Sequence, residues 1–249
     1  VRCWQDRPGS AKKKIHRAAR DGELSIVYED DALVVVNKPP GLLAVPLERQ
    51  EDAASVQDEL VFHLRAQGKR RPLVVHRIDR DTSGLVVFAK RPEALARLKD
   101  QFRRREPERI YLAVVYGHPA PETGVWRDRF VWDERALIQK ETHPADPEGK
   151  EALSEYRVLE RFETTSLIEV RLVTGRRNQI RLQARLRGHT LVGERRYTYG
   201  GDELRPISFK RQALHAFRLA FTHPGTGAPV AFEAPVPADI VELIERLRR

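Results

Sequence analysis

The densest polar stretch in an apolar setting is His76-Arg77-Ile78-Asp79-Arg80-Asp81-Thr82-Ser83-Gly84-Leu85. It lies between two apolar runs, residues 73–75 and 85–88, so its loop is expected to emerge from the end of a sheet. A carboxylate here, flanked by Arg77 and Arg80, stays ionised at neutral pH. It could serve as a nucleophile, as a base, or only as half of a structural ion pair. A second constellation is Thr174-Gly175-Arg176-Arg177-Asn178-Gln179-Ile180-Arg181, at the junction of a strand and a helix. A glycine turn, exposed N–H groups and arginines would make a phosphate site at a helix start. The plainer reading is an ordinary turn with solvated arginines. The third constellation, Arg109-Ile110-Tyr111-Leu112-Ala113, is a strand with one aromatic hydroxyl, and alone it carries no function.

Other chemistries find little support. The chain has no Walker loop, no Gly-x-Gly-x-x-Gly, no His-Glu-x-x-His and no Gly-x-Ser-x-Gly. Its eight histidines are scattered, and His118, His143 and His223 read as surface or capping residues. A metal-dependent phosphodiesterase built on Asp79 and Asp81 is a poor fit, because the pair is short and flanked by arginines. The single cysteine, Cys3, excludes an intramolecular disulfide and any Cys-based zinc site. It fits a reducing compartment.

The charge narrows the partners. The 249 residues carry 45 Lys+Arg against 36 Asp+Glu, a net charge of +9. Residues 171–211 hold ten Arg and Lys210 against only Glu194, Asp202 and Glu203. Such a cluster is the electrostatic footprint of a nucleic-acid face, or else a solvated basic surface. No run approaches the roughly 18 apolar residues of a membrane span, and no secretory signal is visible.

The elements that must position these residues follow from periodicity. Residues 1–23 read as a basic N-terminal arm, and residues 24–249 as one continuous domain. Residues 25–28 and 32–37 read as strands, and Pro39-Pro40-Gly41 stops the second. Apolar spacing predicts a helix over 54–66 and another over 92–105, with Leu95, Leu98 and Phe102 inward. Strands are expected at 84–89 and 110–116, hairpins between 119 and 150, and strands again at 156–162 and 166–173. A strongly basic helix over 177–187 is closed by Gly188. Late strands at 214–221 and 230–232 precede a terminal helix over 239–248 that Asp239 could cap. Strands in runs favour an α+β fold with a mixed, largely antiparallel sheet and flanking helices over a doubly wound one.

Together these segments resemble the RluA-type pseudouridine synthases, from about Ser25 to Pro237. The match includes Tyr28-Glu29-Asp30-Asp31, Asn37-Lys38-Pro39-Pro40-Gly41, the Asp79 segment, Tyr111-Leu112-Ala113, and Leu172-x-Thr174-Gly175-Arg176-x-x-Gln179-Ile180-Arg181. Leu214-His215-Ala216 and His223-Pro224 follow in the same order. The resemblance implies a catalytic domain with a basic central cleft, no cofactor and no metal. It implies isomerisation of a uridine in structured ribosomal or transfer RNA, by a monomer in the cytoplasm. Carried over by position, Asp79 looks like the catalytic aspartate, by attack on the sugar, attack on the ring or proton removal. Tyr111 resembles the tyrosine that packs on the base and takes the proton from ring carbon 5. Arg181 resembles the arginine paired with the aspartate, and Arg77 the residue that displaces the target base. Arg176, Arg177, Asn178, Gln179, Arg185 and Arg187 are then expected on the RNA face.

The family commonly has His where Asn178 and Gln183 stand, and these replacements are expected to alter RNA contacts. The small accessory RNA-binding domain of many relatives is not found in this sequence. The rival reading is a non-catalytic RNA-binding module that keeps only the basic face.

Overall fold

The computed structural model describes residues 23–46, 53–65, 68, 71–198 and 207–249. Most of the expected basic arm, and residues 199–206 of the basic segment, lie outside the described residues. The apolar and β-branched runs become β1 (Ser25–Glu29), β2 (Leu33–Lys38), β3 (Leu73–Val74), β4 (Ser83–Ala89) and β5 (Glu108–Tyr116). After them come β6 (Thr123–Asp133), β7 (Ile138–Glu141), β8 (Lys150–Arg161), β9 (Thr165–Leu172), β10 (Leu214–Thr222) and β11 (Pro229–Glu233). The helices are α1 (Val56–Arg65), α2 (Pro92–Arg104), α3 (Gln179–Leu186) and α4 (Ala238–Leu247).

Among the described residues, all eleven strands join one sheet in the order β1-β2-β4-β10-β5-β9-β8-β6-β7, with β11 on β10 and β3 on β4. Every pairing is antiparallel except β10 with β4. The single α+β domain with a mixed sheet expected from the sequence is therefore what forms. Alternation along β2 and β4 sends Val34, Val36, Val86 and Phe88 to one face, where α1 contributes Val56 and Leu60. Leu33, Val35, Leu85 and Val87 go to the other face, packed with Ala94 and Leu98 of α2. Both faces of these strands are buried, which explains their almost unbroken apolar runs.

The parallel contact between β10 and β4 is short, His215 to Ser83 and Ala216 to Gly84. Gly84 has φ +113, and a Cβ placed there would lie 2.2 Å from the Ala216 carbonyl oxygen. Only glycine adopts this conformation without strain and lets the β10 backbone come so close. Ala216 in turn pairs with Tyr111 of β5, and Tyr111 with Val170 of β9. One cross-sheet row thus sets Tyr111 two strands away from the segment that follows Asp79.

Several boundaries differ from expectation. β8 starts at Lys150, six residues early, because its pairing with β6 runs down to Lys150–Phe130. Helix α3 begins at Gln179 rather than 177, since Asn178 takes a left-handed conformation, φ 53. Asp239 does not cap α4. Pro237 holds that position, and Asp239 receives Arg211 Nε at 2.7 Å and Nη2 at 2.9 Å. Nor is α3 an exposed basic helix, because residues 179–184 are all buried and Ile180 and Ala184 belong to the main core. Among the described residues no helix is long and apolar enough to cross a membrane.

Gly84→Ala should lower unfolding stability by about 2–4 kcal/mol, combining backbone strain with a forced separation of β4 from β10. A urea midpoint unchanged from wild type would show that the junction relaxes freely.

Candidate active site

A cleft of about 550 Å³ opens where the Asp79 loop, β5 and the start of α3 meet. Asp79 and Tyr111 line it, together with Arg77, Arg109, Arg176 and Arg181. Arg181 Nη1 donates to Asp79 Oδ2 at 3.1 Å, so the two residues, 102 positions apart in sequence, form an ion pair in the cleft. The side chain of Asp79 is about one quarter exposed and that of Arg181 about one tenth. The carboxylate therefore keeps an open side toward the cleft.

Arg181 is itself held from behind. Its Nε and Nη2 donate to the two oxygens of Glu194, both at 2.6 Å, in a parallel fork. The side chain of Glu194 is fully buried, and its Oε1 also accepts backbone N–H groups of Arg195, Arg196 and Tyr197. Burial pushes the Glu194 pKa up. The hydrogen bonds and charge of Arg181, with the backbone amides, outweigh that and hold it below the usual carboxylate range. Asn178 adds a third contact, accepting from Arg181 Nη1 at 3.0 Å and donating to the Tyr197 hydroxyl at 3.0 Å. The guanidinium also lies 5.5 Å from the Tyr197 ring centre. With Nε, Nη1 and Nη2 all held, Arg181 can present its remaining charge to Asp79 in only one direction.

The Asp79 loop is pinned from below by Lys38, whose residue is fully buried. Its Nζ donates to the carbonyls of Pro39 at 2.7 Å, Leu42 at 2.8 Å and Arg80 at 2.7 Å. Burial pulls the Lys38 pKa down to about 7, while three carbonyls match the three N–H groups of an ammonium. Tyr111 is buried in the cleft wall, and its hydroxyl makes no hydrogen bond to any described residue. Burial pushes its pKa up to about 12, Arg109 opposing and Asp79 adding, so the phenol is protonated at neutral pH.

The structure thus brings Asp79, Tyr111, Arg181, Arg77 and Arg176 to one cleft. It corrects other expectations. Asn178 and Gln179 line the cleft too, but they are largely buried and their side-chain polar groups are taken up by protein partners. Gln179 is buried and bonds to Thr174, Ser154 and the Leu153 carbonyl. Its Oε1 also takes the Arg176 backbone N–H at 2.9 Å, so that amide of the turn before α3 is not open to an anion. Gln183 is fully buried and bonds to Ser154, Asp128 and two carbonyls, so its replacement of His alters the interior and not an RNA contact. Arg187 forks onto Asp128 with both bonds at 3.0 Å. Arg185 stands in the last turn of α3, outside the cleft lining. Arg177 lies over the Trp132 ring at 4.4 Å, on the β6–β7 hairpin.

Sequence reasoning quoted Lys38 only as part of a motif and missed the positioning roles of both Lys38 and Glu194. Glu194 entered it only as a minority charge, although a lone carboxylate inside a run of arginines is itself a signal for a buried pair.

Residues 32–186 match the model of the family described as RNA pseudouridylate synthase. Ribosomal large subunit pseudouridine synthase D of Zymomonas mobilis is 39% identical over 243 residues, covering 93% of this chain and 75% of that one. Uncharacterized RNA pseudouridine synthase YlyB of Bacillus subtilis is 38% identical over 231 residues, covering 91% and 74%. The solved structure of human RNA Pseudouridylate Synthase Domain Containing 4 shares the fold, with a TM-score of 0.73 at 20% identity, over 90% of this chain and 92% of that chain. The chain belongs to the RNA pseudouridylate synthase family. Its activity is that of an isomerase converting uridine in RNA to pseudouridine.

Glu194→Gln should leave Arg181 buried beside an uncharged partner and cost about 3–5 kcal/mol of stability. Chemical denaturation of the variant against wild type measures this, and a loss below about 1 kcal/mol would show that the pair is solvated.

Proposed function

We propose that the chain isomerises a uridine in structured RNA with Asp79 as its reactive carboxylate, Arg181 as the residue that holds it and Tyr111 as the platform for the base. The observation that carries this reading is the Asp79–Arg181 pair at 3.1 Å, in a cleft that Tyr111 also lines. Isomerisation breaks the bond from the sugar C1′ to N1 and makes one from C1′ to C5. One proton leaves C5 and one is taken up at N1, so nothing is gained or lost. Such a reaction needs a carboxylate beside the nucleoside and a site that keeps water from the detached base. The base must also leave its stack, at a cost of a few kcal/mol. Tyr111, protonated at neutral pH, suits contact with the base, and removing the C5 proton would require it to lose its own first.

Arg77 is exposed and lines the same cleft, two residues from Asp79. That position suits a side chain that enters the stack as the base leaves. Arg177, beside Arg77 and Arg196 and stacked on Trp132, extends the positive charge onto the hairpin. Large-subunit ribosomal RNA is the favoured substrate, because the Zymomonas mobilis relative carries that name. A monomer acting in the cytoplasm completes the reading.

Asp79→Asn is expected to bind RNA with near wild-type affinity and to form pseudouridine at less than about a thousandth of the wild-type single-turnover rate. Faster product formation would remove Asp79 from the chemistry. Mapping pseudouridine in RNA from cells with and without the gene would name the substrate. An identical map would favour the non-catalytic RNA-binding reading.

Arg77→Ala should slow single turnover sharply on a paired or stacked uridine and much less on the same uridine in an open loop, where unstacking is largely avoided. Equal slowing on both RNAs would make Arg77 electrostatic rather than displacing.

A further inference from the structure

Arg109 is the one buried guanidinium of the cleft that the reaction above does not use. It sits two residues before Tyr111 on β5, so both side chains project from the same face of the strand. It is only 9% exposed, yet no carboxylate lies within ion-pair distance of it among the described residues. A guanidinium offers five N–H donors. One of those of Arg109, on Nη2, donates to the Val173 carbonyl at 3.0 Å. The others find no acceptor among the described residues, and Nε is buried without a partner. A buried charge without a counter-ion is expensive, so its persistence here calls for an anion.

The surroundings are built to hold this cation rather than to neutralise it. Its guanidinium lies over the Phe102 ring at 5.5 Å, and that ring stacks on His76 at 4.8 Å with 22° between planes. Burial, with Arg109 adding to it, pushes the His76 pKa down to about 3, so the imidazole stays neutral. Val87 N donates to His76 Nε2 at 3.2 Å, so the histidine is tied into the sheet. Gly175 keeps the guanidinium uncovered, because a Cβ there would lie 2.8 Å from Arg109 Nη1. Arg176 lines the same cleft, with Nε on the Glu151 carbonyl at 2.8 Å and, among the described residues, no carboxylate within ion-pair distance, although the Glu151 charge acts on it from farther away. Arg105, at the left-handed end of α2, completes the rim, its charge shared with Glu151 at 3.0 Å. Among the described residues, Asp79 is the only carboxylate that lines the cleft.

We propose that Arg109 and Arg176, with Arg105 at the rim, form a phosphate subsite that takes a phosphodiester of the RNA next to the target uridine. This rests on the reading of Asp79 as the reactive carboxylate. Several positive groups with spare donors suit an anion, whereas a uracil carbonyl is neutral and would need a single donor. A phosphate held here would fix the register of the strand while carrying no sequence information. It would also set the uridine against Asp79 and Tyr111, which line the same cleft.

The test uses a seven-nucleotide RNA with one central uridine among adenosines, in which each linkage in turn is replaced by an uncharged methylphosphonate. Binding is measured to the full chain and to its Arg109→Gln, Arg109→Lys and Arg176→Gln variants. Wild type should lose about tenfold or more in affinity at one linkage flanking the uridine, the size of a lost charge-assisted hydrogen bond. Arg109→Gln should lose about as much on the natural RNA and nothing further at that linkage. It should stay sensitive at any other linkage that matters to wild type. Arg109→Lys should recover part of the linkage sensitivity. Arg176→Gln, which changes a less buried side chain, should show the same coupling. Losses that simply add at every linkage would overturn the subsite, as would wild type failing to bind the natural heptamer. Coupling of Arg109→Gln to a 4-thiouridine substitution in place of any linkage would assign Arg109 to the base instead. Pseudouridine formation is followed separately. Coupling without product in any RNA would sink the synthase reading and leave the subsite standing, whereas product without coupling sinks the subsite alone.

Discussion

Everything at the cleft depends on one shared guanidinium. Arg181 stands between Glu194, fully buried, and Asp79, one quarter exposed. Taking such charges out of water costs several kcal/mol per ion, and this is recovered only with near-ideal geometry and every remaining lone pair satisfied. Glu194 meets that demand with two 2.6 Å bonds to Arg181 and further bonds from backbone amides. The buried half of the cluster is thereby closed. The other half is left open, and a carboxylate that must meet a substrate needs one side unblocked. The arrangement divides labour between a carboxylate that anchors, Glu194, and a carboxylate left open to the cleft, Asp79.

Backbone geometry makes that cluster possible. Asp79 precedes β4, Tyr111 lies within β5, and β10 runs between the two strands. The distance from Asp79 to Tyr111 is therefore set by how closely β10 approaches β4, and Gly84 sets that approach through its missing side chain and positive φ. Lys38 acts on the same loop from the other side, drawing the carbonyls of Pro39, Leu42 and Arg80 onto a single ammonium. A buried residue outside the cleft lining thus holds the turn that carries Asp79. The two segments in the Asn37–Gly41 and His76–Leu85 motifs are coupled by this one side chain.

The arginines divide by what they touch. Within residues 171–211, Arg171 pairs with Glu155, Arg181 with Glu194, Arg187 with Asp128 and Arg211 with Asp239. Each of these charges is matched by a carboxylate of the same chain, which reduces what it adds to long-range attraction. Arg77, Arg109 and Arg176 line the cleft with no carboxylate within ion-pair distance among the described residues. A count of basic residues per segment therefore overstates one region and misses another. Arg77 and Arg109 lie well outside the segment whose composition stood out.

The sequence alone determined the order and type of the strands and helices, because alternation along β2 and β4 and helical spacing along α2 are local properties. It also determined the family, through the ordered Asp79, Tyr111 and Arg181 segments, and with it the reaction class. Only the tertiary structure decided which polar side chains are left with free groups in the cleft. Asn178 and Gln179 sit in the same motif as Arg181 and look equally polar in sequence, yet both turn inward to satisfy buried groups. Glu194, thirteen residues from Arg181, and Lys38, 42 residues from Arg80, find their partners only once the chain has folded. A buried polar atom must be paired wherever the fold places it. That pairing is a property of three-dimensional neighbours, and no local pattern of residues records it.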